Sequence, residues 1–208
     1  MTRSDLRLGM VGLGALGLPM AVNLHRAGFP LQVHTRSRDA ERNPALLGCQ
    51  GCATAAETAD GVDILVLCVS DDNAVNAVLF GRGGASETLA EGSLVVDCST
   101  ISPSTARAAA DQLAHQKVHY IDAPVTGGTE GAQAGTLTVL AGGEPSTLER
   151  ARPVLDTIGS TIHHFGPVGS GQQVKAVNQV LVAGSYAAVA ESLALGERLG
   201  LPMPAVVD

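Results

Sequence analysis

Residues 6–24, LRLGMVGLGALGLPMAVNL, constrain what this chain can fold into more than any other segment, because an apolar strand runs into a glycine turn that opens directly into a helix. Gly12, Gly14 and Gly17 stand in G-x-G-x-x-G spacing. The first glycine permits a tight turn, the second lets a pyrophosphate approach the backbone, and the third lets helix and strand pack closely. The N–H groups of the first helical turn and the positive end of its dipole then face an anion. The whole loop of Gly12, Leu13, Gly14, Ala15, Leu16 and Gly17 is therefore expected to hold a dinucleotide. Glycine-rich turns are common, and the context that gives this one meaning is the strand before it and the amphipathic run 15–27 after it.

Beyond this unit, apolar β-branched runs alternate with helical patterns. Strands are predicted at 6–11, 31–34, 63–69 and 94–97, with helices near 15–27, 39–47, 73–79 and 103–115. Such alternation means a doubly wound, mainly parallel sheet. Further strands at 118–121, 136–141 and 161–164 and a helix over 145–157 extend it, so residues 1–166 read as one extended α/β domain of the Rossmann type. Residues 167–208 read as a second unit, dominated by one helix over 172–199, about 28 residues long. Its middle, 180–190, is apolar on nearly every face. A membrane span needs ~20 apolar residues, and Lys175, Asn178, Gln179 and Glu191 bound this run. No membrane partner is expected; the helix instead requires protein cover, from another copy of the chain or from a further segment.

The 208 residues suffice for a sizeable core, and 45% of them are hydrophobic. A net charge of −7 opposes a nucleic-acid partner, which would need a basic patch working against the overall field. The short polar lead lacks the long apolar core of a signal peptide, so a cytoplasmic protein is expected. Cys49 and Cys52 have C-x-x-C spacing without a second ligand pair, and a closed zinc site needs four ligands. Cys68 and Cys98 fall at strand ends, His163 and His164 at a polar one; four reduced thiols and no metal are expected.

The end of the second strand addresses the cofactor. An acid there, about 20 residues beyond the glycines, would bind the ribose 2′-OH of NAD. This chain instead reads Val33-His34-Thr35-Arg36-Ser37-Arg38, with no acid before Asp39. Arg36 can fork onto a 2′-phosphate with the Thr35 and Ser37 hydroxyls as extra donors, which favours NADP over NAD; the alternative is a solvated basic loop. Further along, Gly127 and Gly128 follow a strand and a proline and allow backbone N–H groups to converge on a small carboxylate, with the Thr126 hydroxyl beside them. Lys175 begins an otherwise apolar helix, where burial lowers an amine pKa toward the range useful for proton transfer. Gln179, at i+4, shares its face, and Asn178 lies close to it.

The glycine loop with Pro19-Met20-Ala21 and Asn23, the segment Asp97-Cys98-Ser99-Thr100-Ile101-Ser102-Pro103, the segment Asp122-Ala123-Pro124-Val125-Thr126-Gly127-Gly128, and the run GSGQQVKAVNQ over 169–179 together resemble the β-hydroxyacid dehydrogenase family. The resemblance implies an NAD(P)-dependent oxidoreductase interconverting a short 3-hydroxyacid and its semialdehyde, of the 3-hydroxyisobutyrate dehydrogenase or tartronate semialdehyde reductase type. It implies that Ser99 and Thr100 contact the nicotinamide end, that Val69 and Ser70 line the cofactor groove, that Thr126, Gly127 and Gly128 hold the substrate carboxylate with Asn178 and Gln179 nearby, and that Lys175 carries the proton. Two departures bear on substrate. Thr126 replaces the usual serine and narrows the pocket by a methyl, and Asn178-Gln179 replaces Asn-Asn, as in the tartronate semialdehyde branch. The family continues through a mostly helical C-terminal domain, of which this chain is expected to hold the start. A homo-oligomer is expected. The competing readings are a cofactor-binding module without catalysis, and a glyoxylate or succinic semialdehyde reductase.

Overall fold

A computed structural model describes residues 5–207; the polar lead 1–4 and residue 208 lie outside them. Six strands, β1 (Leu8–Val11), β2 (Leu31–His34), β3 (Gln50–Gly51), β4 (Ile64–Leu67), β5 (Leu94–Asp97) and β6 (His119–Asp122), form an all-parallel sheet in the order β3-β2-β1-β4-β5-β6. The direction of winding reverses between β1 and β4, which opens a crevice at their carboxyl ends. Both faces of this sheet are covered. Ile64 and Val66 of β4 point into one apolar layer with Met10, Val33 and Val96, while Leu65 and Leu67 point into the other with Val95 and Tyr120. That is why the central strands read as unbroken apolar runs rather than alternating ones. Helices α1 (Gly17–Arg26) and α6 (Pro145–Ile158) close the first layer, and α2 (Ala55–Ala59), α3 (Asp72–Phe80) and α4 (Pro103–Ala114) the second.

The expected doubly wound α/β architecture is therefore what forms, with local corrections. The helix anticipated over 39–47 is two short 3-10 turns, Ala40–Arg42 and Pro44–Leu46. Pro44 holds Asn43 extended, at ψ 128°, and the Asn43 side chain instead caps the second turn at Ala45 N. The exposed two-residue strand β3 and the short α2 carry no apolar period long enough to announce them. Of the further strands expected, the one at 118–121 joins the main sheet as β6, and the two after it do not. Pro124 has no N–H to continue the ladder beyond β6, and β7 (Val125–Thr126), β8 (Leu137–Ala141) and β9 (Gly159–His164) form a separate three-stranded sheet, β7 antiparallel and β9 parallel to β8. Helix α5 (Gly128–Ala134) links β7 to β8, and an Asp122–Gly142 bridge joins the two sheets.

The long helix α7 (Ser170–Arg198) has 29 residues and extends about 44 Å. Among its residues only Gly171, Gln172, Lys175 and Gly196 are buried, three of them in the first two turns. Past Lys175 it projects with Val180, Leu181 and Tyr186 each at least 67% exposed, until α8 (Met203–Val207) returns to touch it at Gly196. By length and composition alone α7 is long and apolar enough to cross a membrane.

Candidate functional site

A cavity of about 510 Å³ occupies the crevice at the carboxyl ends of β1 and β4, within the size range of small-molecule sites. Gly12, Gly14, Ala15, Leu16 and Gly17 form one wall, Val69 and Ser70 another, and His34, Thr35 and Arg36 stand at the outer end. The three glycines divide the work as their spacing requires. Gly12 has φ +97°, and a Cβ on it would strike the Cys68 carbonyl; a Cβ on Gly17 would strike the carbonyl of Gly12. A Cβ on Gly14 would meet nothing within 4 Å, so that face is open to a ligand. Helix α1 begins at Leu16 with no side-chain cap and no acid in its first turn, leaving its positive end toward the crevice. A pyrophosphate would fit this cradle. Leu13 alone of the loop turns away, into the core.

The outer end differs from expectation in one respect. Thr35 and Arg36 line the crevice, but Ser37 does not. An acid absent from the strand end arrives from further along the chain: Glu41 Oε1 accepts the Thr35 N–H at 3.0 Å, and its Oε2 accepts Arg38 Nε at 2.7 Å.

At the inner end, α7 is fastened to the sheet by a carboxylate. Asp122 Oδ1 accepts the Gly169 N–H at 2.7 Å and Oδ2 accepts that of Gln172 at 2.9 Å, so a negative charge sits on the helix's positive end. The Gln172 side chain, wholly buried, then donates from Nε2 to the Ser99 carbonyl at 2.8 Å and accepts the Ile101 N–H at 3.1 Å. Ser99 Oγ accepts the Val69 N–H at 3.0 Å. An unbroken set of hydrogen bonds thus runs from the start of α7 to the crevice wall. Beneath it, Asp97 takes the Ser99 N–H and the Tyr120 hydroxyl, each at 2.9 Å. Burial pushes the Asp97 carboxyl up to about 6 against the pull of the Ser99 and Tyr120 hydrogen bonds, and the neighbouring Asp122 pushes the same way. Burial also raises Asp122, opposed by the backbone N–H groups of Gly169 and Gln172.

One turn beyond Gln172, Lys175 is 7% exposed and donates from Nζ to the Val125 carbonyl at 2.9 Å. Desolvation pulls its amine below the ordinary lysine value. Thr126 follows immediately on β7, and Asn178 Nδ2 reaches its hydroxyl at 3.5 Å. Gly127 and Gly128, with φ +131° and +67°, turn the chain into α5 there. Asn23 of α1 supports this lobe by donating to the Ala132 carbonyl at 2.8 Å.

Lys175, Thr126 and Asn178 are therefore brought together, with Gly127 and Gly128 adjoining. Gln179 stands exposed beside Asn178 and Thr100 is exposed next to the buried Ser99. Sequence reasoning assigned no role to Gln172, Asp122, Asp97, Tyr120 or Glu41. The available signal was Gln172, a polar residue three positions before the lysine and hence on its face of the helix. Among the described residues no group of three or more His, Cys, Asp or Glu is placed to hold a metal, and all four cysteines are free.

Residues 7–166 match the sequence pattern described as the NAD binding domain of 6-phosphogluconate dehydrogenase, and 169–208 that of the NAD-binding of NADP-dependent 3-hydroxyisobutyrate dehydrogenase. Helix α7 thus falls in a domain of that enzyme type. A 3-hydroxyisobutyrate dehydrogenase of Pseudomonas aeruginosa is 38% identical over 201 residues, covering 97% of this chain and 67% of the relative. The 2-hydroxy-3-oxopropionate reductase of Escherichia coli is 38% identical over 195 residues, covering 94% and 66%. A solved structure, Psf3 in complex with NADP+ and 2-OPP, superposes with a TM-score of 0.91 at 29% identity, over 97% of this chain and 71% of that one. The chain spans about two thirds of the length of the curated relatives it matches, from 62% to 70%.

Proposed function

The chain belongs to the β-hydroxyacid dehydrogenase family, and on that premise we propose that it interconverts a short 3-hydroxyacid and its semialdehyde, using NADP in preference to NAD. The bound cofactor supplies or accepts the hydride. The glycine loop orients the pyrophosphate, Thr35 and Arg36 take the 2′-phosphate end with Ser37 beside them, and Val69, Ser70, Ser99 and Thr100 flank the nicotinamide end. Thr126, Gly127, Gly128, Asn178 and Gln179 hold the substrate carboxylate and its neighbouring oxygen. Lys175 gives its proton to the carbonyl oxygen during reduction and takes it back during oxidation. The observation that carries this reading is the placement of a buried lysine one turn from Gln172, whose amide holds the loop beside the crevice. The relatives' names support the substrate class, and the NADP+ in the Psf3 complex supports the cofactor. We assign 1–166 to the Rossmann domain and 167–208 to the start of a helical one, and assign the bare apolar face of α7 to a two-fold contact with a second copy; sedimentation as a monomer at micromolar concentration contradicts that contact.

The test is NADPH oxidation with tartronate semialdehyde, succinic semialdehyde and glyoxylate. Turnover of tartronate semialdehyde, lost in Lys175→Ala while NADPH still binds, supports the proposal; turnover of succinic semialdehyde or glyoxylate alone, whose products carry the new hydroxyl at carbon 4 or carbon 2, favours the competing reductase reading instead. The exposure of Gln179 and of α7 favours one competitor, a cofactor-binding module. It prevails if NADPH binds and no semialdehyde turns over, in this chain or in a longer form of it.

A further inference from the structure

The turn that ends the crevice is built around a charge which the strand-end sequence conceals. Residues 35–38 close with an Arg38 N–H to Thr35 carbonyl bond of 3.0 Å, and Arg38 adopts a left-handed φ of +63°. Below lies the Glu41 side chain, 5% exposed. One of its oxygens accepts the first N–H of the turn, from Thr35, and the other pairs with the last side chain, Arg38, at 2.7 Å. His34 Nδ1 stands 3.7 Å from the first oxygen and is directed at the Cys52 carbonyl at 3.0 Å. Thr35 and Arg36 are crevice wall, and among the described residues no Asp or Glu lines that cavity. Glu41 is therefore the carboxylate bonded directly to the wall at the position where an acid would discriminate against a 2′-phosphate. Arg38 pairs with it at 2.7 Å and is not among the residues that line the crevice.

We propose that the Arg38–Glu41 pair is a charge lock that sets nucleotide selectivity. The lock rests on the cofactor reading above and works through net charge: Arg38 cancels the carboxylate under Thr35, so a 2′-phosphate meets the uncancelled guanidinium of Arg36. Without Arg38, Glu41 stays fixed by the Thr35 N–H and repels the phosphate, while NAD(H), which carries a 2′-hydroxyl there, is indifferent. Arg38 thus acts through Glu41 as a positioning residue rather than by touching the nucleotide.

Equilibrium binding of NADPH and NADH to the 208-residue chain, followed by nucleotide fluorescence at low salt, tests this without requiring turnover. Arg38→Ala is expected to weaken NADPH about tenfold and leave NADH within about twofold. Adding Glu41→Gln, which keeps an oxygen for the Thr35 N–H and removes the charge, is expected to restore NADPH to within about threefold of wild type. Glu41→Gln alone frees the charge of Arg38 and tightens NADPH, a result that decides the matter if Arg38→Ala does not fold. An unchanged NADPH-to-NADH ratio in Arg38→Ala overturns the lock. So does a loss that persists in the double variant, because Arg38 would then contact the phosphate itself. A wild-type chain that binds neither nucleotide overturns the cofactor reading and the lock together.

Discussion

Gln172 closes both hydrogen-bonding ends of residues 99–101: its Nε2 donates to the Ser99 carbonyl at 2.8 Å and its Oε1 accepts the Ile101 N–H at 3.1 Å. The same residue's backbone N–H is held by Asp122, so one position ties the helix that carries Lys175 to the loop beside the crevice. Gln172→Leu leaves a buried donor and a buried acceptor unpaired, at a cost of about 2–4 kcal/mol in stability. It is expected to lower kcat at least about tenfold while changing the NADPH Kd less than about threefold, because the glycine cradle is untouched. Gln172→Glu, equal in size but without the donor to Ser99, is expected to fall between the two. Stopped-flow hydride transfer and equilibrium nucleotide titration separate these effects; parallel losses in kcat and cofactor affinity would refute the positioning role.

Asp97 gives a pH dependence of known sign. Its carboxyl stands at about 6 in the folded chain against an ordinary 3.8, with burial the main cause. A carboxyl raised by folding contributes its stability in full below about 3.8 and loses it as pH rises through about 6. The full difference corresponds to about 3 kcal/mol. Asp97→Asn keeps an oxygen for the Ser99 N–H and does not ionise. Denaturant titrations from pH 4 to 7 should therefore show the variant gaining on wild type by roughly 2–3 kcal/mol across that window. Parallel stability curves for the two chains would show that Asp97 does not titrate there.

Legibility from sequence followed the range of the interactions. The glycine loop was readable because its demands are steric and local: Gly12 against Cys68, Gly17 against Gly12, and open space at Gly14. β4 and β5 were readable because burial on both faces leaves unbroken apolar runs, ILVL in β4 and LVV ahead of Asp97 in β5. The length of α7 was readable because no proline interrupts it. By contrast, strand periodicity says nothing about partners, so the separate sheet of β7, β8 and β9 was hidden. Alanine and leucine on either side of Asn43-Pro44 masked the break in 39–47. The bonds that fasten the start of α7 into the candidate site join residues 47 to 73 positions apart, as in Asp122–Gly169 and Ser99–Gln172, and no local pattern encodes such pairs. Glu41 escaped notice for a related reason: an acid six residues beyond Thr35 reaches it only because the intervening turn folds back.

The contrasting surroundings of two loop glycines predict contrasting variants. Gly12→Ala forces a Cβ against the Cys68 carbonyl at φ +97° and is expected to destabilise the fold by about 2 kcal/mol or more. Gly14→Ala meets nothing within 4 Å and has no positive φ to strain, so its melting temperature should stay within about 2 °C of wild type. Its methyl nevertheless stands where the pyrophosphate would approach, and NADPH affinity should drop at least about tenfold. Thermal melts and nucleotide titration of the two variants check this. A Gly14→Ala chain that binds NADPH like wild type would place the phosphates elsewhere.

In the proposed mechanism the chemistry turns on Lys175. Its amine, buried beside the Val125 carbonyl, sits below the ordinary lysine value because desolvation disfavours the ammonium. Reduction consumes a proton from that amine, so semialdehyde reduction should fall as pH rises through a pKa below the ordinary 10.5, and oxidation should rise over the same interval. Lys175→Met keeps the apolar stem and removes the proton carrier; hydride transfer should decrease by about 10²- to 10⁴-fold with NADPH binding within about twofold of wild type. Lys175→Arg keeps the charge but does not release a proton in this range, and should be as slow as the methionine variant. Rate–pH profiles of all three chains, taken with saturating NADPH, distinguish proton transfer from simple charge stabilisation. An arginine variant that retained wild-type rates would mean that the cation alone suffices and that no proton passes through position 175.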